Sequence, residues 1–330
     1  MVTIKDIADR AGVSFSTVSK ALRDSPLVQN KTKQHILAIA KEMGYQPNIA
    51  ARSLVSRKSG AIGVVWPSIE RAALSSLITK INEQLEEQGY VTLLSISNLE
   101  SAVEIFRRYQ VDAILVFGDQ DSISSFNQLK PLQIPILTYG AAGYTPYSAV
   151  DVNRGQAVRL AVRHLAELGH KDIAYIGEPQ SHDPLQTVKI EAFREEMELQ
   201  GLPKGSGVVL QMNGLEFHDG YIAARAMLEK TPRPTAVISG GVDLTRGILR
   251  AIGEHGLRVP EHISVVSYDN LPQMEDIGVP MTVVGVAIAT ITSVIAATIH
   301  ELIEHPDSHK TVYLEPEIVV RASTAEPKHL

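Results

Sequence analysis

The chain has no cysteine among its 330 residues. That absence excludes disulfides, thiolate catalysis and cysteine-ligated zinc or iron–sulfur centres. The N-terminal run Met1-Val2-Thr3-Ile4-Lys5-Asp6 lacks the apolar stretch of a signal peptide, and no run of about 18 apolar residues follows. A cytoplasmic location with no membrane partner is expected. No phosphate-binding Walker loop, no GxGxxG turn and no HExxH helix occurs. No Ser/His/Asp set stands out either, so an enzyme is not expected, and neither is a cofactor. His300, His305 and His309 are split by Pro306, so they do not form one metal-binding helix face.

What is present is a chain long enough for a small module plus a sensor of two lobes. Hydrophobic residues at 44% and charged residues at 21% are ordinary for a globular protein. The net charge of −6 hides an asymmetry, because residues 1–58 carry +6 and the remainder −12. A basic head on an acidic body suits a polyanionic partner for the head only.

Three helical stretches fill the first 45 residues. Thr3 is placed to cap a helix with Asp6 in its first turn, and Ile4, Ile7, Ala8 and Ala11 share one face. Gly12 breaks that helix, and Ser14 caps a second one running to about Leu22. A third spans about Thr32 to Met43, and Pro47 ends the module. Ile7, Ala8, Val13, Val18 and Leu22 fall where two short helices pack across a tight turn, the spacing of a helix-turn-helix. Phe15, Ser16 and Lys20 then stand on the outer face of the second helix, poised for a major groove. Lys20 suits guanine O6 or N7, Ser16 pairs with several bases, and Phe15 presses on a thymine methyl. Ser14, Thr17 and Ser19 are short donors suited to phosphate oxygens.

From Ile62 onward short apolar runs alternate with amphipathic helical segments. The β-like runs are 62–65, 91–94, 113–117, 134–138, 173–176, 208–210, 236–239 and 263–267. This alternation predicts parallel sheets in two doubly wound lobes, with a ligand cleft beyond the strand carboxyl ends.

Between head and core lies Ile49-Ala50-Ala51-Arg52-Ser53-Leu54-Val55-Ser56-Arg57-Lys58. This stretch resembles the hinge of the lactose-repressor/galactose-repressor family, and the head matches that family's pattern nearly position by position. Core stretches sharing the resemblance include Ile62 to Pro67, Asp151 to Gly155, His164 to His170, Val259 to Val266 and Val319 to Thr324. The resemblance implies a small all-α helix-turn-helix head on an α/β periplasmic-binding-protein-like core of two doubly wound parallel-sheet lobes. The implied boundaries are 1–46 for the head, 47–60 for a hinge with a short DNA-induced helix, and 61–330 for the core. Lobe 1 is expected at about 61–155 plus 283–310, and lobe 2 at about 156–282 plus 311–325.

By the same resemblance, Thr3, Thr32, Tyr45, Asn48 and Arg52 join the DNA contacts, and Leu54 wedges into the minor groove at the operator centre. An apolar wedge between base steps does kink a duplex. A hinge helix of about eight residues is too short to persist alone in water, so DNA would induce it. Effector contacts implied are Ser68 and Arg71 after the first strand, Lys189 in place of the usual arginine, Asp243 and Asp269. Arg71 and Lys189 read equally as grips for a charged ligand or as surface ion-pair residues.

Two departures stand out. Gly241-Val242 replace the family's Asn-Asp pair, and Gly285-Val286 replace a basic residue and a glutamine. Either the effector is not a simple hexose, or the core signals weakly. The expected function is a dimeric repressor of carbohydrate-utilisation genes on a near-palindromic operator, controlled by a sugar or sugar derivative that could be charged. A protein that only captures a sugar and an enzyme on the same fold are the competing readings. The lack of a signal peptide and the presence of the head weigh against the first of these.

Overall fold

A computed structural model describes residues 2–22, 24–45, 58–66, 72–118, 120–126, 129, 132–179, 183–203 and 207–328. It divides into two compact units, Met1–Ser59 and Gly60–Leu330.

In the first unit, helices α1 (Ile4–Ala11), α2 (Phe15–Leu22) and α3 (Asn30–Glu42) enclose a small core. The starts of α1 and α2 have a local cause. The Thr3 amide donates to Asp6 Oδ2 at 2.8 Å while the Asp6 amide donates to Thr3 Oγ1 at 3.4 Å, a reciprocal capping box. Gly12 ends α1, and the Thr17 amide donates to Ser14 Oγ at 3.2 Å at the head of α2. Ile7, Val18 and Ile36 are fully buried, joined by Ala8, Ala21, Val28, Ile39 and Ala40. Each large side chain so buried contributes roughly 1.5–3 kcal/mol, and a unit this small depends on all of them.

The second unit holds two six-stranded sheets. Lobe 1 contains β1 (Ala61–Val65), α4 (Ala72–Glu87), β2 (Val91–Ser95), α5 (Leu99–Tyr109), β3 (Ala113–Phe117), α6 (Gln120–Ser125), β4 (Ile136–Tyr139) and β5 (Ser148–Val152). The chain then enters lobe 2 through α7 (Arg154–Glu167), β6 (Ile173–Pro179), α8 (Pro184–Leu199), β7 (Gly207–Met212), α9 (Phe217–Leu228), β8 (Ala236–Ser239), α10 (Val242–Glu254), β9 (Ser264–Asn270) and β10 (Thr282–Ala287). Helix α11 (Ile288–Glu304) and β11 (Thr311–Leu314) return to lobe 1, and β12 (Glu317–Val319) returns to lobe 2. The strand orders are 11-5-4-3-1-2 and 12-10-9-8-6-7, parallel throughout except for β12 against β10. Helices cover both faces of the inner strands, so these read as unbroken apolar runs; all five residues of β3 are buried.

The lobe boundaries correct the sequence expectation. Residues 283–287 belong to lobe 2, because β10 pairs with β9 and buries Val283 and Val284 completely. Residues 311–314 belong to lobe 1, where β11 extends the sheet beyond β5. Each five-stranded sheet draws its sixth strand from the C-terminal stretch, so the chain passes between lobes three times. Strand order reverses at β1/β3 in one lobe and at β6/β8 in the other, which leaves a crevice at the carboxyl ends.

Candidate DNA-contact surface and effector cleft

On α2, Phe15 is 58% exposed, Ser16 is exposed and Lys20 is partly exposed. Val18 and Ala21 point the opposite way into the core. The helix thus fixes one face by packing and leaves the other as a row of an apolar ring, a hydroxyl and an ammonium. Ser14 and Thr17 are partly committed already, with their hydroxyls 2.8 Å apart in the cap of α2. The Thr3 hydroxyl donates to Asp6 Oδ2 at 2.8 Å, and that bonding, led by the Thr3 backbone N–H, holds the Asp6 carboxyl below its usual range. Ser19 and Thr32 are partly exposed, and Tyr45 packs against the head core. Lys33 is held by Asp24 at 2.6 Å and Arg10 by Glu42 at 2.5 Å, so neither cation is wholly at the disposal of a phosphate. Asn48, Arg52 and Leu54 lie outside the described residues, as do Ser68 and Arg71.

The crevice between the lobes holds a cavity of about 160 Å³. Lobe 1 contributes Phe117 and Gly118 after β3, Tyr139 and Gly140 after β4, and Val152 of β5. Arg154 enters from the first turn of α7 and is ion-paired to the buried Asp151. Asp151 also accepts the Ala142 amide at 3.0 Å and the Val152 amide at 2.7 Å. Gly140 is required here: its φ is 86°, and a Cβ would stand 3.0 Å from Arg154 Nη2.

Lobe 2 contributes Leu185, Gln186 and Lys189 from α8, Asp269 and Asn270 at the end of β9, and Gly285 and Val286 of β10. Lys189 is 4% exposed, with Nζ 3.6 Å from the Tyr268 ring centre and donating to the Gly240 carbonyl at 3.1 Å. Asp269 adopts φ 83°, a conformation that costs energy in a non-glycine residue and recurs at ligand sites. Gly285 has φ 146°, and a Cβ there would lie 3.2 Å from the Asn270 amide. The departure from a basic residue at this position is thus a backbone feature, not merely a lost side chain. Burial raises the pKa of the Tyr139 and Tyr268 hydroxyls, so both remain neutral phenols.

Of the effector residues expected from the sequence, Lys189 and Asp269 meet at this cavity. Asp243 does not line it; it stands in the first turn of α10, 4.0 Å from Arg246. Sequence reasoning missed Tyr139, Arg154, Gln186 and Tyr268. A usable signal existed for two of them. Arg154 follows Asp151 by three residues at a strand-to-helix junction, and Gln186 precedes Lys189 by three on one helix face.

A helix-turn-helix head and, in the same chain, a two-lobed core with a polar cleft define a DNA-binding regulator with a ligand-binding domain. Residues 3–48 match the model of bacterial regulatory proteins of the lacI family, and residues 162–324 match a periplasmic binding protein-like domain. The chain is 31% identical to the HTH-type transcriptional repressor PurR of Mannheimia succiniciproducens, over 98% of both proteins. Among solved structures it is similar to the lac repressor dimer bound to operator and the anti-inducer ONPF (TM-score 0.84, 25% identity, 98% of this chain and 99% of that one). It is also similar to a LacI family regulator from Enterococcus faecium with bound ribose (TM-score 0.71, 25% identity, 81% and 100% covered). The chain belongs to the lacI family of bacterial transcriptional regulators.

Proposed function

We propose that the chain represses transcription as a homodimer on a near-palindromic operator, with α2 in the major groove, and that a small carbohydrate in the cleft sets its operator affinity. The observation carrying the DNA half is the outer face of α2. An aromatic ring 58% exposed beside Ser16 and Lys20 has no packing role there and matches a thymine methyl flanked by base-edge acceptors. One head covers a half-site, so two-fold pairing on two half-sites follows. The lac repressor dimer on operator supports that assembly by similarity. Residues 47–60 act as the hinge, with Leu54 entering the minor groove.

The carbohydrate half draws support from the ribose-bound relative and from the cleft's hydrogen-bonding groups, Arg154, Gln186, Lys189, Asp269 and Asn270. A repressor acting on DNA would work in the cytoplasm, on the nucleoid. The test is a gel shift of the full chain on DNA upstream of its own gene, with and without sugars. A specific shift altered by a sugar supports the reading. Sugar binding without any shift at modest salt would favour a protein that only captures its ligand.

A further inference from the structure

Leu27 is the most exposed large apolar side chain among the described residues, at 78%. The turn that carries it is pinned on both sides. Val28, the next residue, is buried in the core of the head, and Pro26, just before, has its backbone φ fixed by its ring. The Leu27 amide donates to Ser25 Oγ at 3.4 Å, and the Val28 amide donates to the Ser25 carbonyl at 3.3 Å. Lys33, on α3, donates to Asp24 Oδ1 at 2.6 Å and to the Asp24 carbonyl at 3.4 Å. A single exposed leucine on a protein surface calls for no explanation. The place of this one does.

The Ser25 amide donates to the Lys20 carbonyl at 3.0 Å, and the Asp24 amide donates to the Ala21 carbonyl at 3.1 Å. Asp24 adopts φ 55°, so the two bonds form a left-handed ending to α2 and set the turn directly beyond it. Phe15, 58% exposed, opens the same helix. An exposed apolar side chain thus stands at each end of α2, with Lys20 between them. The eight residues of α2 rise roughly 12 Å, the length of about four base steps. The surroundings suit a duplex, since residues 1–58 carry +6 and the one carboxylate of the turn, Asp24, is held by Lys33. A protein partner would call for a contiguous apolar patch, whereas Leu27 is flanked along the chain by Asp24, Ser25 and Gln29.

We infer that Leu27 is a base-reading residue, pressing on the 5-methyl group of a thymine in the major groove. That thymine lies beyond the base pair read by Lys20, on the opposite side from the thymine met by Phe15. The half-site is then a base pair read by an ammonium and flanked by two thymine methyls. An apolar side chain recognises thymine through that methyl. The inference rests on the reading of α2 as the major-groove helix, and adds to it a contact made from outside the helix.

The test uses the full chain on the near-palindromic duplex it selects from random DNA. Each thymine is replaced in turn, in both half-sites together, by deoxyuridine, which lacks only the methyl, and anisotropy reads the affinity. Replacement of the thymine under Leu27 should weaken binding about fourfold per half-site, or about fifteenfold for the pair, the effect of one buried methyl-sized group at each. Leu27→Ala should shrink that loss to below twofold and leave the loss at the Phe15 thymine in place. Phe15→Ala should do the reverse. Leu27→Met, which keeps the apolar reach, should retain most of the loss. Because Leu27 is so exposed, the unfolding midpoint and the sedimentation of the dimer should not move in any Leu27 variant. Deoxyuridine losses unchanged at every thymine in Leu27→Ala would overturn the assignment. An equal drop on selected and scrambled duplexes, the mark of a backbone contact, would overturn it too. A lowered midpoint or a dissociated dimer in Leu27→Ala would make the leucine a packing residue instead. Failure of the full chain to select any duplex would sink the major-groove reading of α2 itself, and shows before any variant is made.

Discussion

Lys189 Nζ stands 3.6 Å from the centre of the Tyr268 ring and donates to the Gly240 carbonyl at 3.1 Å, linking α8 to the carboxyl ends of β8 and β9. The ammonium is buried against a π face and a backbone dipole, and it borders the cavity. Lys189→Met keeps the volume and removes the charge. It should cost about 1–3 kcal/mol of folding stability, because the buried Gly240 carbonyl loses its donor, while leaving the protein folded. Ligand response should nevertheless be lost. Thermal unfolding and ligand titration of the same variant separate the two effects.

The Asp151–Arg154 pair behaves differently, because each group holds the other's charge. The two side chains are 4% and 15% exposed. Asp151→Ala should cost about 3–5 kcal/mol, since it leaves the Arg154 charge buried beside Tyr139 and strips two backbone amides of their acceptor. Asp151→Ala combined with Arg154→Met should cost less than the sum of the single changes. Denaturant unfolding of the three variants reads this directly, and simple additivity would count against a coupled pair.

Much of the head was legible in the sequence. Its helices are short and locally signalled by Thr3 with Asp6, Gly12 and Ser14, and its core follows a 3.6-residue period. The core lobes were less so. Strand β5 carries Asp151 as the fourth residue of Ser-Ala-Val-Asp-Val, and that carboxylate hides a fully buried strand. Strand β10 contains Gly285, which reads as a turn until its φ and its neighbour Asn270 are known. Lobe membership of β10 and β11 is a matter of pairing across the sheet, and no local pattern carries it. The cleft was half legible: Lys189 and Asp269 followed from resemblance, whereas Gln186 and Arg154 needed the fold to turn them into one cavity.

On the head, folding and reading should separate by residue. Lys20→Ala is expected to cost about 1–3 kcal/mol on the preferred operator and to relax discrimination at one base pair per half-site. Phe15→Ala, at an exposed position, should weaken binding at thymine-bearing sites with little change in unfolding. Ser14→Ala removes the oxygen that accepts the Thr17 amide, so it should lower head stability by about 0.5–2 kcal/mol and weaken all DNA alike. Anisotropy titrations on half-site variants, paired with thermal melts, distinguish these outcomes.

Acid should loosen the second lobe through its histidines. His170 is 2% exposed, with Nδ1 2.8 Å from Thr235 Oγ1 and Nε2 2.8 Å from the Ala325 carbonyl. His164 lies 3.0 Å from Thr324 Oγ1. Burial lowers the pKa of both below 6.5. The unfolded chain therefore binds protons first, so stability is full above the unfolded value of about 6.5 and is lost as pH falls toward the lower folded values. The unfolding midpoint should drop between about pH 7 and pH 5, and His170→Asn should flatten that slope while lowering the midpoint at neutral pH. A wild-type midpoint that stays level across this range would contradict the assignment.

The basic head should read a defined operator, and occupancy of the cleft should change how tightly it does so. Equilibrium anisotropy of the full chain on a near-palindromic duplex recovered from random DNA, against a scrambled duplex, at stepped salt and with and without sugars, tests this most directly. The expected preference for the recovered site is about 10³-fold or more, with affinity falling by roughly 0.9 log units per phosphate contact for each tenfold rise in salt. A bound sugar should shift that affinity at least tenfold without altering the scrambled duplex. Equal affinity for both duplexes at every salt, indifferent to every ligand that binds the core, would contradict the account.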